Sequence, residues 1–134
     1  MTYVMDASIA ASLFLPDEEP ETAKDILGAG GVLVPVLFWY EMANILWACV
    51  RKGRLDEGQA FRALELLRRL EIADDGRSIR ELFPAVFLLA REYGLTAYDC
   101  AYLELAAREG ATLCSHDSAL RAAASALGLR ILPA

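Results

Sequence analysis

Short apolar runs at residues 2–5, 32–34, 71–73, 111–114 and 129–132 alternate with longer stretches in which apolar residues recur every three or four positions. That alternation leaves little freedom of fold. The short runs have the length of strands and the periodic stretches the length of helices, and strands separated by helices pair in parallel. A parallel sheet is buried on both faces, so helices must cover both. The expected class is α/β, a three-layer α/β/α sandwich around a central parallel sheet. The chain has 134 residues, which reads as a single domain, 1–134. The helices are expected at 7–15, closed by Pro16, at 18–27, stopped by the glycines at 28, 30 and 31, and at 37–52, followed by Gly53. Four more are expected at 56–70, 78–93, 96–109 (ended by Gly110) and 117–127. In the 56–70 helix Ala60, Leu64, Leu67 and Leu70 share a face; in the 78–93 helix Leu82, Val86, Leu89 and Tyr93 do.

Composition narrows the functional classes. At 56% hydrophobic residues a sizeable core is available, which excludes a disordered chain. The 19 acidic residues outnumber the 13 basic ones, for a formal charge of −6. A broad basic face for gripping nucleic acid is therefore absent, and any such function must use a local site. The densest basic cluster is Arg51, Lys52 and Arg54. Residues 32–50 are almost wholly apolar, but Pro35, Glu41 and Asn44 interrupt them, and a carboxylate at the centre of a bilayer is costly. They read as a buried strand end and a buried helix, with no membrane involvement. Residues 1–6 lack the basic-then-apolar layout of a signal peptide, so the expected compartment is the cytoplasm. Cys49, Cys100 and Cys114 have neither zinc nor CxxC spacing and read as small buried hydrophobes.

Four acids share one edge of the expected sheet. Asp6 ends the first strand and Asp117 follows the fourth. Glu41 lies near the start of the helix after the second strand, and Asp99 near the start of the helix that leads to the fourth. All four map to the carboxyl edge, where open α/β sheets bind their ligands. Each also admits a plainer role. Asp6 and Asp117 could be helix N-caps. Thr96 and Asp99 fit the two ends of a capping box. Glu41, among Trp39, Tyr40 and Met42, is the only charge between residues 32 and 50 and needs a partner. If the four cluster, their repulsion must be offset, and a divalent cation is the simplest means. Carboxylates without His or Cys select a hard ion, Mg²⁺ or Mn²⁺. Such an ion suits attack on a phosphodiester. The chain has no GxxxxGK[ST] phosphate cradle and no GxSxG elbow, and its single His, His116, reads as a loop bystander.

At these residues the chain resembles the PIN-domain ribonucleases, and more narrowly the VapC-type toxins of type II toxin–antitoxin pairs. The resemblance rests on Asp6 with Ser8, on Glu41-Met42-Ala43-Asn44, on the stretch from Leu95-Thr96 through Asp99 to Tyr102, and on Ser115-His116-Asp117. It implies metal-dependent endonucleolytic cleavage of RNA, with Asp6, Glu41, Asp99 and Asp117 as the catalytic set. It further implies Asp6, Asp99 and Asp117 as ligands of Mg²⁺ or Mn²⁺, and Ser8 and Ser115 as hydrogen-bonding residues that aim the carboxylates. The implied partners are an RNA substrate, a cognate antitoxin protein and a second copy of the chain in a homodimer. The alternative is a non-catalytic PIN-fold module that binds RNA or an antitoxin. A receiver-like phosphoacceptor fits poorly, because Asp6 stands alone and neither Lys24 nor Lys52 follows a late strand.

Overall fold

The computed structural model describes all 134 residues. Its elements run β1 (Tyr3–Met5), α1 (Ala7–Ala11), α2 (Glu21–Ala29), β2 (Val32–Val34), α3 (Leu37–Arg51) and α4 (Glu57–Arg69). They continue with β3 (Ile72–Asp74), α5 (Ile79–Tyr93), α6 (Ala97–Glu109), β4 (Thr112–Cys114), α7 (Ser118–Ala126) and β5 (Ile131–Leu132). The five strands form one sheet in the order β3-β2-β1-β4-β5. Every pairing is parallel, with Val4 opposite Leu33 on one side and Leu113 on the other. The three-layer α/β architecture expected from the alternation is therefore the one observed.

Strand order divides the helices. From β1 the chain steps one way to β2 and β3, then returns past β1 to β4 and β5. Right-handed crossovers place the helices of the two directions on opposite faces. Accordingly α1 packs on α2 and α3, and α3 on α4, while α6 packs on α5 and α7. The reversal of strand order lies between β1 and β4, and the crevice at the carboxyl ends of those two strands is where such sheets hold ligands.

The core explains why these segments hold. On α3, Phe38, Met42, Leu46 and Cys49 recur at helical spacing and are all buried. Helix α6 contributes Cys100, Tyr102, Leu103, Leu105 and Ala106 and contacts both β1 and β4. All three cysteines are buried and free. Gly31 takes a left-handed φ of +76° beside the backbone of Met1, a close approach that a side chain would obstruct.

Several boundaries differ from expectation, each for a local reason. Helix α1 ends at Ala11 rather than at residue 15, because the Ser12 hydroxyl donates to the Ile9 carbonyl at 2.5 Å and competes with the helix for it. Helix α2 begins only after Pro20, since a residue preceding proline is turned away from helical geometry. It then runs through Gly28 and stops at Gly30, whose φ is +80°. On α4 the buried residues are Ala63 and Leu67, whereas Leu64 is 40% exposed, so the inward face is rotated from the one expected. On α5, Leu82 and Val86 are buried, with Leu89 and Tyr93 packed against the core, as the periodicity requires.

Candidate active site

The four acids stand at the carboxyl edge, around the β1–β4 crevice. Asp6 follows β1 directly and is 8% exposed. Its Oδ1 accepts the Ser8 hydroxyl at 2.8 Å and the Ile9 N–H at 3.0 Å, so it caps α1. Asp117 follows β4 after two residues and caps α7, accepting the Leu120 N–H at 2.8 Å. Both N-cap readings are therefore realised, and each cap uses a single carboxylate oxygen.

Asp99 behaves otherwise. Thr96 caps α6 by accepting the Asp99 N–H at 3.1 Å, but no bond returns from the Asp99 carboxylate to the Thr96 N–H. The reciprocal box forms instead on α4, where Asp56 and Gln59 each accept the other's backbone N–H. The half-buried Asp99 carboxylate is thus left out of the capping geometry. Burial raises its pKa above the ordinary value, and the charges of Asp117 and Asp6 add to the rise, against the Thr96 hydroxyl.

Glu41 lies near the start of α3, at the beginning of its second turn, and is half-buried. The partner its apolar surroundings demanded is not a cation. The Tyr102 hydroxyl donates to Glu41 Oε1 at 2.5 Å, from α6. Burial raises the pKa of Glu41. The tyrosine hydrogen bond opposes that rise, and the charges of Asp6 and Asp99 reinforce it. Glu41, Asp6, Asp99 and Asp117 therefore form a chain of mutually repelling carboxylates spanning α3, β1, α6 and the β4–α7 connection.

Ser8 aims the Asp6 carboxylate as expected. Ser115, fully buried, does something different: its hydroxyl accepts the Asp117 N–H at 3.1 Å and so fixes the main chain rather than the carboxylate. Arg121, not singled out in the sequence, donates to the Ser115 carbonyl at 2.9 Å and steadies the same connection. His116 is exposed in that loop. Of the basic cluster, Arg54 is committed to Asp17 at 2.7 Å, and Arg51 lies 5.9 Å from the Trp47 ring.

Chemically, the donor set consists of carboxylates with no nitrogen or sulfur ligand, which suits a hard divalent ion. Burial does most to raise Glu41 and Asp99, and the mutual repulsion that adds to it is what a bound cation would relieve. As the side chains stand, no three acidic, histidine or cysteine side chains converge closely enough to hold one ion. No helix is long and apolar enough to cross a membrane.

Comparison with known proteins agrees with this frame. The family model described as the PIN domain matches residues 3–126. Ribonuclease VapC3 of Pyrobaculum aerophilum is 37% identical over 121 residues, covering 90% of this chain and 92% of that protein. The crystal structure of PAE2754 from the same organism superposes with a TM-score of 0.73 at 27% identity, over 98% of this chain and 84% of that one. The fold is also that of FitAcB from Neisseria gonorrhoeae, at a TM-score of 0.66 and 13% identity over 97% and 96% of the two chains. VapBC2 from Rickettsia felis, solved with a promoter DNA fragment, gives a TM-score of 0.65 at 18% identity over 98% and 97%.

Proposed function

The chain belongs to the PIN-domain family, and from that premise we propose that it is a metal-dependent endoribonuclease, the toxin of a toxin–antitoxin pair. The observation that carries the proposal is the coupled set Asp6, Glu41, Asp99 and Asp117 around the β1–β4 crevice. Support comes from the 37%-identical relative, a ribonuclease by name.

Asp6, Asp99 and Asp117 would hold Mg²⁺ or Mn²⁺ once their side chains turn toward one another, since as placed no three acids converge. When bound, such an ion polarises a phosphoryl oxygen and activates water for in-line attack. The chain's own residues supply the rest. Asp6 and Asp117 each commit Oδ1 to a helix cap, which restrains the carboxylate and leaves Oδ2 without a hydrogen-bond partner in the fold. Ser8 locks Asp6 further. Glu41, tied to Tyr102 through one oxygen, has the other free to orient a water or a substrate hydroxyl.

The acidic crevice favours an antitoxin segment that presents Arg or Lys to Asp6 and Asp99 and blocks the RNA path. A homodimer is supported by α5, where Ile79, Phe83 and Phe87 stand 65%, 59% and 63% exposed at four-residue intervals. Such a row of large apolar side chains favours burial against a second copy.

The test is RNA cleavage by the purified chain with Mg²⁺ or Mn²⁺, with EDTA, and with Asp99→Asn. Cleavage that needs the ion and Asp99 supports the enzyme. The absence of three convergent carboxylates favours the second reading, a binding module without catalysis. That reading predicts RNA or antitoxin binding, indifferent to Asp99→Asn, and no cleavage under any metal condition.

A further inference from the structure

We propose that Tyr102 is a positioning residue: its hydroxyl holds the Glu41 carboxylate in its working orientation across the helix interface between α6 and α3. The inference deepens the proposed function and rests on it.

Tyr102 is 2% exposed, so its ring is core and its hydroxyl must be satisfied inside the protein. The acceptor is Glu41 Oε1 at 2.5 Å, 61 residues away in sequence. A hydrogen bond to an ionised acceptor is stronger than a neutral pair, and this one is sheltered from water. No salt bridge is available to Glu41, and no other side chain donates to it. A half-buried glutamate without that bond has three side-chain torsions and a route to solvent. With it, one oxygen is pinned and the other has a fixed direction.

The position of Tyr102 on its helix gives the bond its consequence. Asp99 and Tyr102 are three residues apart on α6 and therefore lie on the same face. The residue that holds Glu41 is rigidly connected to the residue that carries Asp99. The Tyr102–Glu41 bond thus fixes the spacing between two acids that repel each other. A tyrosine needed only to fill volume would do as well as phenylalanine.

The test uses the full chain and three variants, Tyr102→Phe, Glu41→Gln and the double replacement. Tyr102→Phe should keep the fold, read by circular dichroism, and lower kcat for RNA cleavage by roughly 10–100-fold, as loss of an orienting partner does. KM should stay within about twofold of the unaltered chain, because the tyrosine touches no substrate. In the Glu41→Gln background the second replacement should have no further effect on kcat. A readout independent of activity is the Tyr102 hydroxyl proton. It should give a slowly exchanging downfield resonance, absent in Tyr102→Phe and moved upfield in Glu41→Gln, where the acceptor is neutral. A chain that cuts RNA, depends on Glu41 and is indifferent to Tyr102→Phe would overturn the positioning role alone. A chain with no cleavage at all would overturn the enzymatic reading and the positioning role with it.

Discussion

Asp6 has two separable roles, and two replacements divide them. Its Oδ1 accepts from Ser8 and from the Ile9 N–H, which is structural work. Its charge bears on Glu41 and Asp99, which is the proposed functional work. Asparagine keeps a carbonyl oxygen in place and removes the charge. Alanine removes both. Losing an N-cap costs about 1 kcal/mol. The exposed Ser8 hydroxyl turns to water and adds little, but the donor the cap leaves unpaired, the Ile9 N–H, is buried, which moves the loss toward about 2 kcal/mol. Helix α1 has only five residues and no reserve of helical stability to absorb the loss.

For a chain of 134 residues, an unfolding entropy of about 2.1 cal/mol/K per residue makes about 1–2 kcal/mol worth about 4–7 °C of Tm. In EDTA, Asp6→Ala should therefore melt about 4–7 °C below the unaltered chain. Asp6→Asn should melt within about 2 °C of it or above, since one repelling charge is gone. Both should lose RNA cleavage. Both should also lose most of the stabilisation that millimolar Mg²⁺ gives the unaltered chain, because ion binding to the native state supplies it. The measurement is thermal melting with and without Mg²⁺, beside a cleavage assay. An Asp6→Asn protein as unstable as Asp6→Ala would show that the cap needs the charge. One that still cleaved RNA at the full rate would remove Asp6 from the site.

The other predictions can be checked with similar means. Activity should vanish in EDTA and return with Mg²⁺ or Mn²⁺ but not with Zn²⁺ in their place, read by cleavage of a labelled RNA. Replacing Phe83 and Phe87 with Glu should convert a dimer to a 14.7 kDa monomer in light scattering, while a monomeric unaltered chain would refute the α5 interface. Arg108 binds Asp75 at 2.5 Å and Glu104 at 2.9 Å in a largely buried cluster, so Arg108→Leu should cost about 2–3 kcal/mol at neutral pH in urea unfolding. Burial raises the Asp75 pKa, but the Arg108 hydrogen bonds, the Arg77 N–H and both charges outweigh it and leave it lowered. Its contribution is present above the unfolded value near 4 and fades as pH falls below it, so the gap between the two proteins should narrow in acid.

Legibility in the sequence followed the range of the interaction. Asp6 and Asp117 could be placed at one edge because a strand end and a helix start are local features, and parallel strands all present the same end there. The Tyr102–Glu41 bond could not be foreseen, since it joins residues 61 positions apart across an interface between two helices. The spacing of Asp99 and Tyr102 on one helical face was the available signal, but it names no acceptor. The inward face of α4 is ambiguous in sequence because Ala63 and Leu64 are adjacent and both apolar, and only the packing against α3 decides which of them turns inward beside Leu67. In sequence Thr96 and Asp99 fit a capping box, and Asp56 and Gln59 fit it as well. The Asp99 carboxylate meets the Thr96 hydroxyl and makes no return bond to the Thr96 N–H, while Gln59, on an exposed helix, makes one to Asp56.

That last difference also shows why capping and catalysis are not rival explanations. The carboxyl edge of a parallel sheet is where its helices begin, so an acid placed there meets the positive end of a helix dipole and unpaired N–H groups. Asp6 caps α1, Asp117 caps α7, and Asp99 sits in the first turn of α6. Each such placement offsets repulsion by about 0.3–1 kcal/mol, least for a helix as short as α1. The fold can therefore keep three of the acids at one edge of the sheet before any cation arrives, and repulsion alone does not require the ion. Glu41 is the exception. It lies in the second turn of α3, past the unpaired N–H groups of the first turn, and takes part in no cap. It is the one acid of the four whose compensation must come from a side chain, and the buried hydroxyl of Tyr102 supplies it.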